Sequence, residues 1–183
     1  MNKLWVSYLE SMFNDESKIK KYVNVAGAII IKEGENGEKL LLLIRRSPDD
    51  HWPLHWEIPR GKCDKGKDEP LLKCVIRETK EETQLDIEPI KFIDKFEYIA
   101  DRGTRKSTQY NYLCKLKNPN QKVVFKKTPG GVKEHTEYRW VMSLGEVEMM
   151  VNPELKRTIS KIFNQDTKII EYGDEPSQNN IKE

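Results

Sequence analysis

Apolar positions along the chain change period several times, and each change marks an element. Residues 2–13 space Leu4, Trp5, Tyr8, Leu9, Met12 and Phe13 for one face of a helix, which predicts a helical extension over residues 1–21 packed on the domain. From Tyr22 the run YVNVAGAIII is rich in β-branched residues, GENG supplies a tight turn, and EKLLLLIRR is too apolar for an exposed strand. A hairpin entering a buried sheet is expected there. SPDDHWPLHW reads as a loop and WEIP as a short extended piece. RGKCDKGKDEP reads as a loop whose acidic residue and Pro70 announce a helix from about Glu69 to Thr83. The apolar stripe of that helix is Leu71, Leu72, Val75, Ile76 and Thr79. IKFIDKFEYIA and STQYNYLCKL follow as strands about the turn DRGTRK. A basic loop, a strand near YRWVM, a helix near Asn152–Asn164 and a polar tail over residues 166–183 complete the chain. Helices alternating with strands around one sheet predict an α/β domain of mixed strand direction over residues 22–165.

Composition narrows the function. Thirty-two Lys and Arg against 30 Asp and Glu leave a net charge of +2, so any site for a polyanion must be local. Cys63, Cys74 and Cys114 are odd in number and show no metal-binding spacing, which predicts buried or incidental thiols, a reducing, cytoplasmic setting and no structural zinc. No apolar run approaches the length of a membrane span, so no membrane partner is expected.

The chemistry concentrates in the first long helix. Glu78, Glu81 and Glu82 stand at i, i+3 and i+4, so a helix places three carboxylates on one side, near its C-terminal end. Like charges at that spacing repel and the macrodipole disfavours them, so a cation is wanted. Oxygen donors without thiolate or imidazole suit Mg²⁺ or Mn²⁺.

The stretch GKCDKGKDEPLLKCVIRETKEETQL resembles the Nudix hydrolase box, in which a Gly and a Glu precede an Arg-Glu-x-x-Glu-Glu helix. Glu69, seven intervening residues and Arg77-Glu78-Thr79-Lys80-Glu81-Glu82 keep the spacing of its acidic half. Two departures stand out: the loop between Gly61 and Glu69 is two residues longer than the family pattern, and Gln84 occupies the place of the Gly that ends the helix. The resemblance implies an α/β/α sandwich with a mixed central sheet. It also implies a metal-dependent pyrophosphohydrolase in which water attacks phosphorus in a nucleoside-diphosphate linkage. By position it assigns the Mg²⁺ or Mn²⁺ ligands to Glu78, Glu81 and Glu82 with Glu69 accessory, and it gives Arg77 the task of orienting them. Glu82 is the first candidate for general base and Glu134 the second.

Substrate choice rests on the loops. WEIPRGK followed by Asp64, together with Glu134 six residues before Trp140, resembles mRNA-decapping Nudix enzymes, which implies cleavage of a 5′ cap to 7-methyl-GDP and 5′-monophosphate RNA. Dinucleoside polyphosphates, ADP-ribose, diphosphoinositol polyphosphates and nucleoside triphosphates are the small-molecule alternatives. A non-catalytic Nudix RNA-binding module is disfavoured, because it would need none of the box carboxylates. DNA is not an expected partner. Arg60 and Lys62 beside the box, and Lys126 and Lys127 in the basic loop, are the candidate substrate contacts. Arg45, Arg46, Arg102, Arg105, Lys106, Lys122 and Lys133 read as ordinary surface charge. Trp52, Trp56, Tyr98, Tyr110 and Tyr112 read as core before base-stacking groups. His51, His55 and His135 share no metal spacing and read as solvent-facing or loop hydrogen-bonding groups, and Pro129-Gly130-Gly131 reads as a turn.

Overall fold

The computed structural model describes residues 16–50, 52–63, 69–127, 131, 133–147 and 153–164. The sequence-predicted N-terminal helix, His51, most of the Pro129-Gly130-Gly131 turn and the polar tail lie outside the described residues.

The predicted hairpin forms β1 (Lys21–Glu33) and β2 (Lys39–Arg46), and WEIPRGK supplies β3 (Trp56–Glu57) and β4 (Arg60–Lys62). Helix α1 (Leu71–Thr83) precedes β5 (Ile87–Ala100) and β6 (Arg105–Leu116), and β7 (His135–Val141) precedes helix α2 (Pro153–Asn164). The seven strands form one sheet in the order β3-β2-β1-β6-β5, with β4 on β1 and β7 on β2. β1 and β6 run parallel from Lys21 opposite Arg105 to Ile31 opposite Lys115, and the other pairs are antiparallel. β1 and β2 pair only at Ile31–Glu33 with Lys39–Leu41. Beyond that point β4 continues along β1 and β3 along β2, so the sheet splits and the WEIPRGK stretch lines the opening.

Alternating side chains give the sheet two apolar faces. Ala26, Ala28, Ile30, Leu42, Ile44, Tyr112 and Cys114 pack beneath α1 with Cys74 and Val75. Ile29, Leu41, Leu43, Leu113 and Val141 pack against Leu155, Ile159 and Ile162 of α2, each of which contributes about 1.5–3 kcal/mol by leaving water. The result is an α/β/α sandwich.

Three expectations for α1 and its surroundings are corrected. The helix starts at Leu71, two residues later than read, because Pro70 caps it in an extended conformation and disfavours a helical residue before it. Its buried face is Cys74, Val75, Thr79 and Thr83, whereas Ile76 is 37% exposed, so the stripe is rotated toward Cys74. Cys63 and Cys74 are buried, as one of the two readings had it, but they are joined by a disulfide with Cα atoms 5.2 Å apart, so the argument from free thiols to a reducing compartment falls. The bond links the end of β4 to the first turn of α1, a proximity that sequence spacing does not reveal. Cys114 is buried and unbonded, and burial pushes its thiol pKa up.

The helix exit replaces glycine by other means. Gln84 takes the left-handed conformation (φ 62°, ψ 11°), and its side-chain amide donates to the Lys80 carbonyl at 2.7 Å, so one residue supplies both the turn and a cap.

Candidate active site

Arg77 organises the acidic end of α1. Its Nε and Nη2 donate to the two oxygens of Glu69 at 2.7 and 2.8 Å, and its Nη1 donates to Glu78 at 2.6 Å and Glu81 at 3.3 Å. Nη2 also donates to the Lys62 carbonyl at 3.0 Å, which ties β4 to the helix. The hydrogen bonds it donates to Glu69 foremost raise the guanidinium pKa further. A Cβ at Gly61 would overlap the Glu78 carboxylate, so Glu78 keeps this place only beside a glycine. Three carboxylates, Glu69, Glu78 and Glu81, thus converge on one guanidinium, whereas the sequence reading grouped Glu78, Glu81 and Glu82 with Glu69 as accessory. Their hard oxygen donors fit a divalent cation such as Mg²⁺ or Mn²⁺.

Glu82 is not bonded to Arg77 and instead accepts the Arg60 backbone N–H at 3.0 Å. Burial, with Glu57 and Glu78 adding like charge, pushes its carboxyl well above the usual carboxylate range.

The second arrangement centres on Glu57, which the sequence reading passed over. Glu57 is 1% exposed and forms ion pairs with Arg46 at 2.7 Å and Arg60 at 2.9 Å, and it lies 3.0 Å from His135 Nε2. Burial would raise its pKa, but Arg60, His135 and Arg46 together hold it at about 2. Arg46 also pairs with Asp50 at 2.8 Å. Arg60 donates from Nη1 to Tyr98 Oη at 3.1 Å and Gln109 Oε1 at 2.9 Å. The chain continues from Gln109 to Asn111 at 2.8 Å and from Asn111 to Asp94 at 3.0 Å, where Thr158 of α2 also donates. A polar path therefore runs from α2 beneath the sheet to the split.

Glu134 and His135 reach the same place from the start of β7. One donor atom each of Glu82, Glu134 and His135 lies within 4.8 Å of the others, with Glu134 exposed and His135 buried. This corrects the reading of His135 as a solvent or loop group: it is an interior residue, 3% exposed, brought to Glu57 because β7 pairs with β2.

The remaining candidates are dispersed. Lys62, Lys126 and Lys127 are exposed, the last two directly after Phe125, whose ring lies 6.1 Å from that of His135. Arg105 pairs with Asp101, Lys106 with Glu16 and Glu97, and Arg45 with Glu137, while Arg102, Lys122 and Lys133 are exposed. Trp56 and Tyr112 are core, Tyr110 packs against the α1-side core, Tyr98 is bonded to Arg60, and Trp52 is half exposed. His55 is bonded within its own loop to the Pro53 carbonyl. Gly131 has a positive φ, as a turn requires.

A sandwich whose split sheet meets an Arg-anchored acidic helix has the architecture of the Nudix fold. Residues 21–162 match the sequence model of the NUDIX domain, and the chain belongs to this family. It is 31% identical over 121 residues to an asymmetrical bis(5′-nucleosyl)-tetraphosphatase of Caenorhabditis elegans, covering 64% of this chain and 78% of that protein. With mRNA-decapping enzyme subunit 2 of Arabidopsis thaliana it shares 38% identity over 96 residues, which is 52% of this chain and 22% of the relative. Among solved structures, a C. elegans Ap4A hydrolase complex superposes with a TM-score of 0.59 at 27% identity, covering 76% of this chain and 94% of that one. The protein is a Nudix hydrolase, a pyrophosphohydrolase of nucleotide-containing substrates in a family that generally uses divalent metals. No helix among the described residues is long and apolar enough to cross a membrane.

Proposed function

We propose that the protein hydrolyses a phosphoanhydride bond in a 5′–5′ linked dinucleoside polyphosphate, either free or as the cap at the end of an RNA. The observation that carries this reading is the convergence of Glu69, Glu78 and Glu81 on Arg77, with Glu82 and Glu134 facing one another beside it. Glu69, Glu78, Glu81 and Glu82 would hold Mg²⁺ or Mn²⁺, which supplies neutralisation of the diphosphate and a lowered pKa for the attacking water. Arg77 keeps the carboxylates in register. Glu82 accepts the proton as water bonds to phosphorus and the P–O–P bridge breaks, with Glu134 the second candidate for that role. Lys62, exposed on the strand beside the helix, would steady the polyphosphate, while the Arg60 guanidinium is already bonded to Glu57, Tyr98 and Gln109 and would act by holding that strand.

The free dinucleotide is favoured by likeness to a tetraphosphatase along most of that relative's length. The capped-RNA reading is favoured by likeness to the decapping subunit, by WEIPRGK, and by the exposed Lys126 and Lys127. It implies an intracellular, cytoplasmic enzyme. The two are separated by assaying diadenosine tetraphosphate, free cap dinucleotide and cap-labelled RNA side by side. A chelator should abolish all turnover, and Mg²⁺ or Mn²⁺ should restore it. If RNA is held, kcat/KM on capped RNA should fall steeply between about 50 and 200 mM salt, because counterions are released along the strand. Lys126→Ala/Lys127→Ala should flatten that curve. Equal efficiency and equal salt response on RNA and free cap dinucleotide would remove the RNA reading, and turnover in excess chelator would remove the metal mechanism.

A further inference from the structure

The Cys63–Cys74 bond closes a ring of chain that contains Glu69, and so reaches the acidic cluster from outside it. We propose that this pair is a reversible thiol–disulfide site, opened by a dithiol, whose state sets how tightly the box holds its divalent cation. The bond joins the end of β4 to the first turn of α1. That turn has little else to hold it: Pro70 makes no side-chain cap hydrogen bond, and no acidic residue in the turn meets the helix dipole. The later turns differ, since Val75, Thr79 and Thr83 are buried. Opening the bond therefore loosens Glu69, directly before Pro70, and leaves Glu78 and Glu81 in place.

The fold keeps both cysteines together without the bond. Cys63 N–H donates to the Asn24 carbonyl of β1 at 2.9 Å, Cys74 N–H donates to the Pro70 carbonyl at 2.9 Å, and Arg77 Nη2 ties the Lys62 carbonyl to α1. Cys63 is 8% exposed and Cys74 0%, so the reductant's thiolate attacks Cys63 Sγ and the Cys74 sulfur leaves as a thiolate. Arg77 Nη2 lies 3.9 Å from that sulfur, where its charge stabilises the leaving group. The same nitrogen donates to Glu69 at 2.8 Å, so the released sulfur competes with Glu69 for it. The second thiol of the reductant then resolves the mixed disulfide. In all, two electrons and two protons pass from the dithiol to the pair, which ends as two thiols while the reductant ends as a disulfide.

The proposal rests on the box reading in taking Glu69 as an accessory ligand. The test equilibrates the full chain, stripped of metal, with oxidised or reduced dithiothreitol, and counts free thiols by alkylation under denaturing conditions and mass spectrometry. Cys114 alone should be alkylated after oxidation and all three cysteines after reduction, with the circular dichroism of the folded chain unchanged. Mn²⁺, followed by the electron spin resonance of the free ion, should bind about tenfold more weakly to the reduced chain and recover on reoxidation. kcat at saturating Mn²⁺ should stay as it was. Cys63→Ser should bind Mn²⁺ like the reduced wild type in both buffers, and Cys63→Ala serves if that variant fails to fold. Reduction only together with unfolding, no bond after oxidation, or Mn²⁺ affinity indifferent to the redox state overturns the site while leaving the box reading intact. Absence of Mn²⁺ binding in both states defeats the box reading, and this proposal with it.

Discussion

Two charge clusters meet at the split of the sheet, and they are inversions of one another. Around Arg77, one cation is shared by three carboxylates near the surface of α1. Around Glu57, one buried carboxylate is shared by Arg46, Arg60 and His135. A buried anion without partners would cost several kcal/mol, so the Glu57 group must be satisfied from within and acts as scaffold. A partly exposed cluster whose single guanidinium charge is spread over three carboxylates gains from a further cation, which suits it to a ligand-bearing role. Glu82 stands between the two, touching the scaffold through the Arg60 backbone and lying one residue from Glu81 of the acidic cluster.

The contrast is broken most severely at Glu57. Glu57→Gln leaves Arg46 and Arg60 without their buried counter-charge and should cost about 3–5 kcal/mol in urea unfolding. Because the folded pKa of Glu57 is about 2 against an ordinary 4.5, its stabilisation is complete above pH 4.5 and is lost as pH falls toward 2. The wild type should therefore lose stability over that interval more steeply than Glu57→Gln. Unchanged unfolding of the variant would deny the scaffold role.

At the acidic cluster the expected loss is in rate. Glu81→Gln should lower kcat by about 10²-fold or more with little change in the urea midpoint, since the side chain keeps its size and is half exposed. Glu82→Gln should lower kcat comparably yet raise the stability of the metal-free protein at neutral pH. The folded pKa of Glu82 lies above its unfolded value, so its ionisation opposes folding as pH rises through that range. A destabilised Glu82→Gln would place this residue with the scaffold.

The smallest change is at the seam. Gly61→Ala drives a methyl group into the end of the flexible Glu78 side chain, which can turn away, so folding should survive. Metal affinity, measured by calorimetry, should fall by about tenfold as Glu78 leaves its place. Unaltered affinity would show that Glu78 contributes no ligand.

Legibility followed the range of the interactions. The hairpin, the β5–β6 pair and α2 could be read because apolar period is local, and the box could be read because i, i+3 and i+4 spacing is itself helical geometry. Glu57 escaped because its partners lie at positions 46, 60 and 135, and a lone acid between Trp56 and Ile58 carries no local sign of them. His135 escaped for the same reason, and so did the Cys63–Cys74 bond across the box loop. The outward turn of Ile76 was hidden because Cys74 completes the buried face in its stead. The Gln84 exit shows a different limit: a missing glycine signals changed geometry only if no side chain can cap the turn, and here one does.

The parallel pairing of β1 with β6 governs when the catalytic region can exist at all. Partners such as Lys21 and Arg105 are 84 positions apart, and β2, β3, β4, α1 and β5 all lie within the loop that their meeting closes. Closing so long a loop is entropically uphill until the central ladder forms, which makes such topologies slow to fold. During synthesis, α1 is complete well before β6, and Glu134 and His135 follow later still. A chain that ends before β6 holds every box carboxylate but lacks the β1–β6 ladder and the Glu134 and His135 positions, so the two charge clusters of the split can meet only once the last strands have been laid down.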